Sequence, residues 1–100
     1  MSNDQKSDGV ASANEFIRPD NSDEIAQEFT LMLLYLNSWM EKPYNVRRAW
    51  KGYDFSDLDK LAELELISDS RKAKSVYLTE EGEKKAQALL RKYGLIAKQS

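Results

Sequence analysis

The chain contains neither cysteine nor histidine among its 100 residues. Their absence excludes disulfides, thiolate metal sites, the usual nucleophile and base pairs of hydrolases, and a histidine pH switch. No apolar run reaches the roughly 18 residues that a membrane span needs, and the N-terminus lacks the basic-then-apolar pattern of a signal peptide. We therefore expect a cytoplasmic, non-enzymatic protein with no cofactor and no membrane contact.

The composition predicts one domain. Hydrophobic residues make up 41% of the chain, which is enough for a single modest core. Residues 1–20 are mainly Ser, Asn, Asp, Gln and Gly with few apolar groups, so they are predicted to form a flexible N-terminal tail. A folded domain is expected over residues 21–94, followed by a short C-terminal tail over residues 95–100.

Apolar residues at 3 to 4 residue spacing predict a first helix over about residues 23–41. Its core face is expected to carry Ile25, Phe29, Met32, Leu33, Leu36 and Met40. Leu31 and Leu34 project from the other side of this helix. Either a terminal segment packs over these two leucines, or they form the seam of a homodimer.

Pro43 ends the first helix, and residues 45–53 are expected to form a short helix or turn that Gly52 terminates. A third helix should run from about residue 56 to residue 65, with Leu58 and Leu61 on its buried side.

The stretch VYLTEEG predicts the last strand and the start of the last helix. Strands at 66–68 and 74–78 flank a turn at 69–73, and Thr79 follows the second strand where a helix N-cap is needed. The last helix, about residues 80–93, begins with acidic side chains that suit the positive end of the helix dipole. Its buried residues are expected to be Ala86, Leu89, Leu90 and Tyr93.

This order of elements, with VYLTEEG joining hairpin to helix, resembles the winged-helix domains of MarR-like and PadR-like transcriptional regulators. The resemblance implies an α+β winged-helix fold of three helices, a two-stranded β-hairpin wing and a C-terminal helix, and it implies double-stranded DNA as a partner. The blocks RAWKGYDF and SRKAKSVYLTEEG are also similar to a bacterial family of small uncharacterised proteins. That second resemblance implies no activity.

Two basic clusters are candidates for contact with DNA phosphates. The first is the turn of the predicted wing, where a basic hairpin tip can reach the backbone or the minor groove; it holds Arg71, Lys72 and Lys74. The second lies among aromatic residues and holds Arg47, Arg48 and Lys51. Each cluster has an alternative interpretation that stays open. The first is an ordinary solvated turn, and in the second the aliphatic parts of the basic side chains cover buried aromatic rings.

The third helix favours a different function. In winged-helix regulators this helix enters the major groove, but here it exposes Asp57, Asp59 and Glu63, which repel phosphate. The alternative hypothesis is a protein-interaction module whose acidic third helix faces a basic partner, with Trp50 and Tyr53 as anchors. Asp54, Asp57 and Asp59 lack the Gly-turn and distal Glu of a calcium loop, so no metal site is expected.

Overall fold

Three helices and four strands make up the computed structural model, which describes residues 17–96. In chain order they are α1 (Ser22–Leu36), β1 (Trp39–Glu41), β2 (Val46–Trp50), α2 (Phe55–Glu63), β3 (Ile67–Asp69), β4 (Ser75–Leu78) and α3 (Glu80–Lys92). The predicted α+β class is confirmed. The predicted flexible segment at residues 1–20 lies mostly outside the described residues, as does most of the predicted C-terminal tail.

The strands form one antiparallel sheet in the order β1-β2-β4-β3. Val76 of β4 pairs with Ala49 of β2 on one side and with Asp69 of β3 on the other. Strand β4 is therefore an interior strand. The two strands that the sequence predicted near the C-terminal helix are present, but they belong to a four-stranded sheet and do not form a separate two-stranded unit.

The predicted short helix at residues 45–53 was wrong, because Val46–Trp50 form strand β2. A β-branched residue and a tryptophan at the ends of this strand suit a pleated surface, and pairing with both β1 and β4 outweighs any local helix preference. Helix α1 also stops earlier than predicted, at Leu36, and Trp39–Glu41 become strand β1. The turn between β1 and β2 contains a cis peptide bond before Pro43.

The core lies between the sheet and the three helices, which all pack on one face of the sheet. Its buried hydrophobic residues are Leu31, Met32, Leu34, Ala49, Leu58, Leu61, Ile67, Val76, Leu78, Ala86, Leu89 and Leu90. Several of these residues in α2, β4 and α3 were predicted from their periodicity. Helices α2 and α3 each begin with a polar turn and continue with an apolar stripe. Because the stripe is buried only when it faces the core, it orients each helix against the sheet.

The predicted core face of the first helix was confirmed at Met32, which is 1% exposed, and was wrong at Leu33 and Leu36. Leu31 and Leu34 are 1% and 0% exposed in the core, whereas Leu33 and Leu36 are 43% and 58% exposed. Helix α1 is apolar on nearly all sides in its second half, so spacing alone cannot say which side faces inward. A homodimer seam through Leu31 and Leu34 is excluded, because both side chains are enclosed by their own chain.

Within the described residues, none of the helices is long and apolar enough to cross a membrane.

Candidate functional site

One face of the sheet carries no described helix. Strand alternation and the register place Trp39, Arg48, Trp50 and Tyr77 on this face, opposite the side that holds Ala49 and Val76 in the core. The exposed face of an antiparallel sheet is commonly polar, but here it presents two tryptophans and a tyrosine. We call the set Trp39, Glu41, Arg48, Trp50 and Tyr77 the aromatic sheet face.

The two tryptophans of the chain lie side by side on this face. The rings of Trp39 and Trp50 have centroids 4.9 Å apart and are tilted by 43°. Trp50 is 63% exposed, although a ring of this size usually contributes its apolar surface to a core or an interface. The tilted contact orients both rings and leaves much of the Trp50 surface open to solvent.

Arg48, Tyr77 and Glu41 form a second cluster beside the tryptophans. The Arg48 guanidinium lies 4.2 Å from the centre of the Tyr77 ring and donates to Glu41 Oε2 at 2.8 Å. The Tyr77 hydroxyl donates to the other Glu41 oxygen at 3.3 Å. These contacts hold three side chains in one arrangement, and the Arg48 charge is balanced by that of Glu41.

An apolar depression borders this cluster. Tyr44, Val46 and Tyr77 line a shallow space of about 390 Å³. Tyr44 is 76% exposed at the turn between β1 and β2, where Asn45 adopts a left-handed backbone with φ 55°. Asparagine tolerates this conformation better than most residues. The turn thus places another aromatic ring beside the aromatic sheet face.

Half of the basic residues that the sequence suggested for DNA contact are paired with carboxylates. Their side chains are at least two-thirds buried, and the N–O distances are 3.6 Å, 2.8 Å and 2.5 Å in the pairs Arg47–Glu83, Arg48–Glu41 and Lys51–Asp69. Arg47 also points towards the helices, since it donates to Ser38 Oγ and stacks on Tyr35. These pairs remove much of the positive potential that phosphate binding requires.

The other three basic residues lie at the turn between β3 and β4. Arg71, Lys72 and Lys74 are exposed, and none of the ion pairs found within residues 17–96 includes them. The turn adjoins the tryptophan pair, because Trp50 pairs with Ser75 and the Lys51 amide donates to the Lys74 carbonyl at 3.0 Å. A small basic edge therefore borders one end of the aromatic sheet face.

The residues suggested for a basic partner do not form one surface. Asp57, Asp59 and Glu63 line an open acidic depression between α1 and α2, on the helix side of the molecule. Trp50 lies on the opposite face of the sheet. Tyr53 packs partly against the core, and its hydroxyl accepts from Asn37 Nδ2 at 3.3 Å.

Burial raises the pKa of Asp57, and the negative charges of Asp54 and Asp23 add to that increase. In contrast, the hydroxyl and amide of Ser56 donate to Asp54 and lower its pKa. Within residues 17–96, no group of three or more acidic side chains is arranged to hold a metal ion. The carboxylates of the acidic depression therefore face solvent, and those within the described residues are not grouped as the ligands of a metal ion would be.

The sequence alone did not reveal the aromatic sheet face as a unit. Trp39 was assigned to the first helix and Trp50 to a short second helix, which separated two side chains that the hairpin brings together. The available signal was two short segments with a tryptophan each, WME and VRRAW, on either side of the turn-forming KPYN.

Comparison with known proteins supplies relatives but no activity. The sequence matches the family described as "Domain of unknown function (DUF6429)" over residues 21–95. It is 44% identical over 50 residues to "Uncharacterized protein y4hR" of Sinorhizobium fredii (strain NBRC 101917 / NGR234), an alignment that covers 49% of this chain and 68% of that protein. No solved structure matches the chain. The resemblance to a bacterial family of small uncharacterised proteins is confirmed, and neither match is described as a MarR-like or PadR-like regulator.

Proposed function

The chain belongs to the DUF6429 family, and we propose that it is a non-catalytic, cytoplasmic interaction module that docks a protein partner on its aromatic sheet face. The observation that carries this proposal is the tryptophan pair, with Trp39 half-buried and Trp50 63% exposed, on a sheet face without a described covering element.

The composition of the face favours a protein partner. Tryptophan, tyrosine and arginine are the residues that most often dominate the binding energy of protein interfaces. All three types are cross-strand neighbours here, since Arg48 pairs with Trp39 on one side and with Tyr77 on the other. Tyr44 extends the apolar area at the adjoining depression. Desolvating such a surface is favourable when the partner covers it with apolar groups.

The electrostatics of the face favour a partner segment of low charge. The Arg48 charge is matched by Glu41, and the whole chain has a formal net charge of -2. Single-stranded nucleic acid also stacks on aromatic side chains, but it requires a positive groove along its backbone. On this face, among the described residues, Arg48 is paired with Glu41. The exposed Arg71, Lys72 and Lys74 lie at one end of the face and not along it, so they do not form such a groove.

The contacts within the face would limit the entropy lost on binding. Ring packing orients Trp39 and Trp50, while the Glu41 carboxylate restrains Arg48 and Tyr77. Side chains that are already ordered lose less rotamer freedom when a partner docks, at a saving of about 0.5 to 1.5 kcal/mol each.

Site-specific photo-crosslinking tests the proposal. A photoreactive phenylalanine analogue is introduced at position 50 or at position 39, and at position 64 as a control, in cells that express the protein. Leu64 is a suitable control because it is 53% exposed on the helix side. We expect a discrete protein adduct from positions 39 and 50 that position 64 does not give. The absence of that adduct, or the same adduct from all three positions, counts against the proposal.

A second candidate function rests on the turn between β3 and β4. Its exposed residues Arg71, Lys72 and Lys74 follow α2 and β3 and precede β4 and α3, which is the order of the last elements of a winged helix. A DNA-contacting regulator with that scaffold would use this turn on phosphates. Fluorescence anisotropy with duplex DNA at about 50 mM salt tests it. Binding that disappears when all three residues are changed to Ala supports this function, and no binding by the unchanged protein eliminates it.

A further inference from the structure

The aromatic sheet face ends at two different turns. The turn between β1 and β2 lies at the Val46 end of the face, where Tyr44 adjoins the apolar depression. The turn between β3 and β4 lies at the opposite end, because the amide of Lys51, next to Trp50, donates to the Lys74 carbonyl at 3.0 Å. The face is therefore apolar at one end and is bordered by a basic turn at the other.

The turn between β3 and β4 holds cations that its own chain leaves free. What we call the basic turn consists of the exposed residues Arg71, Lys72 and Lys74. None of the ion pairs found in the described part of the chain includes them. The neighbouring carboxylate of Asp69 is taken by Lys51, at an N–O distance of 2.5 Å. The basic turn thus keeps positive charge that an external group can meet.

The length of the face places a partner segment beside this turn. The five residues of β2, from Val46 to Trp50, span about 14 Å at roughly 3.4 Å per residue. A segment that covers both the apolar depression and the Trp50 ring therefore has one end beside the basic turn.

We infer that the partner segment carries apolar residues for the aromatic sheet face and, directly beside them, acidic residues that pair with the basic turn. This inference rests on the proposed function, because it concerns the same partner on the same face. Glu41 already balances Arg48 at the centre of the face, so the acidic residues belong at the basic turn and not along the whole segment. Opposite charges at the rim of an interface fix its orientation and speed association.

The surroundings of the basic turn favour an acidic protein segment over a nucleic acid. Trp50, beside the turn, is 63% exposed, and its burial under apolar groups is favourable. Asp59 lines one depression with Arg71 and another with Asp57 and Glu63, so the acidic side chains of α2 begin close to the turn. A duplex presents phosphates along its whole length and would be repelled by these acids. A segment with acidic residues at one end only meets the cations and avoids the carboxylates.

Selection from a displayed library of random peptides tests the inference on the full chain. Peptides that bind the unchanged protein are kept, and those that also bind Trp50→Ala are removed. We expect the remaining sequences to carry acidic residues next to apolar ones. The same selection on a triple variant, Arg71→Ala with Lys72→Ala and Lys74→Ala, should recover apolar sequences in which acidic residues are no more frequent than in the library.

Fluorescence anisotropy of a selected peptide measures what the basic turn contributes. The triple variant should bind roughly 10-fold more weakly than the unchanged protein at about 50 mM salt, and the difference should disappear at about 1 M salt. The matched control removes three exposed lysines of α3, by Lys84→Ala with Lys85→Ala and Lys92→Ala. It should bind like the unchanged protein.

The outcomes separate this inference from the proposed function. Peptides that depend on Trp50 but show no excess of acidic residues overturn the inference and leave the proposed function standing. If no peptide depends on Trp50, both are overturned. Duplex DNA that binds through the basic turn, with no acidic peptide recovered, assigns the turn to DNA and also overturns the inference.

Discussion

The backbone carbonyl of Leu66 lies directly against the α-carbon of Gly82. A β-carbon on Gly82 would stand 2.9 Å from the carbonyl carbon of Leu66 and closer still to its oxygen. The same oxygen accepts from the Thr79 amide at 3.1 Å. This contact joins the segment after α2 to the start of α3. It gives a physical reason for the sequence TEEG after strand β4. The threonine caps the helix, and the glycine leaves room for the backbone of Leu66.

Replacing Gly82 by alanine should therefore destabilise the protein. The added methyl group overlaps fixed backbone atoms, so the cost should lie at the upper end of overpacking, about 3 kcal/mol or more, which exceeds the gain of about 1 kcal/mol in helix propensity. Urea denaturation measures the change. Gly52→Ala is the control, because nothing lies within 4 Å of a β-carbon there. Equal or higher stability of Gly82→Ala would contradict the close contact.

Thr79 should stabilise α3 through its hydroxyl group. Its Oγ1 accepts from the Gly82 amide at 2.9 Å and lies 2.8 Å from the Glu65 carbonyl oxygen, to which it donates. Loss of an N-cap costs about 0.5 to 2 kcal/mol, so Thr79→Ala should lower the free energy of unfolding by about that amount. Thr79→Ser keeps the hydroxyl and should retain most of the stability. If serine and alanine prove equally destabilising in urea, the cap is not the cause.

Glu65 should be replaceable by glycine with a gain in stability. It has a φ of 62°, a left-handed conformation that costs a residue with a β-carbon roughly 1 kcal/mol. We expect Glu65→Gly to raise the free energy of unfolding by up to about that amount. Lys60→Gly, inside α2, is the opposite control and should lose about 1 kcal/mol in helix propensity. If both variants lose a similar free energy of unfolding, the backbone at position 65 is not strained.

Asp57 should make stability depend on pH. Burial and two neighbouring acids raise its pKa above 3.8 in the folded chain, so folding disfavours its charged form. Neutral Asp57 therefore stabilises the folded chain relative to charged Asp57. This contribution to the free energy of unfolding is complete below the pKa of Asp57 in the unfolded chain, and it is lost as the pH rises through the pKa in the folded chain. Asp57→Asn should thus raise the melting temperature at about pH 7 relative to the unchanged protein, with the difference disappearing near about pH 3. A variant whose difference in melting temperature is the same at both pH values would exclude this linkage.

The parts of the fold that were predictable have short-range signals. Thr79 follows an alternating strand and precedes acidic residues, so both its position and its role as a cap could be inferred from sequence. Gly94, just after the C-cap of α3, has a φ of 72°, and a glycine directly after an apolar helical stripe is itself a short-range signal for the end of a helix. These features depend on a few neighbouring residues, and tertiary contacts do not change them.

The parts that were missed depend on contacts between distant residues. Val46–Trp50 become a strand because β4, which lies far along the chain, pairs with them. Leu31 rather than Leu33 faces inward because α2 and α3 approach α1 from that side, and the helix itself is apolar all round. The aromatic sheet face was missed for the same reason, since Trp39 and Trp50 meet only after the hairpin has formed.

The affinity of the partner captured at position 50 tests the central claim most directly. Isothermal titration calorimetry with the purified partner compares the unchanged protein, Trp50→Ala and Leu64→Ala. Truncating an anchor residue at the centre of an interface costs 2 kcal/mol or more, so Trp50→Ala should weaken binding at least about 30-fold. Leu64→Ala should bind like the unchanged protein. Equal affinity of the unchanged protein and Trp50→Ala would contradict a docking function of the aromatic sheet face.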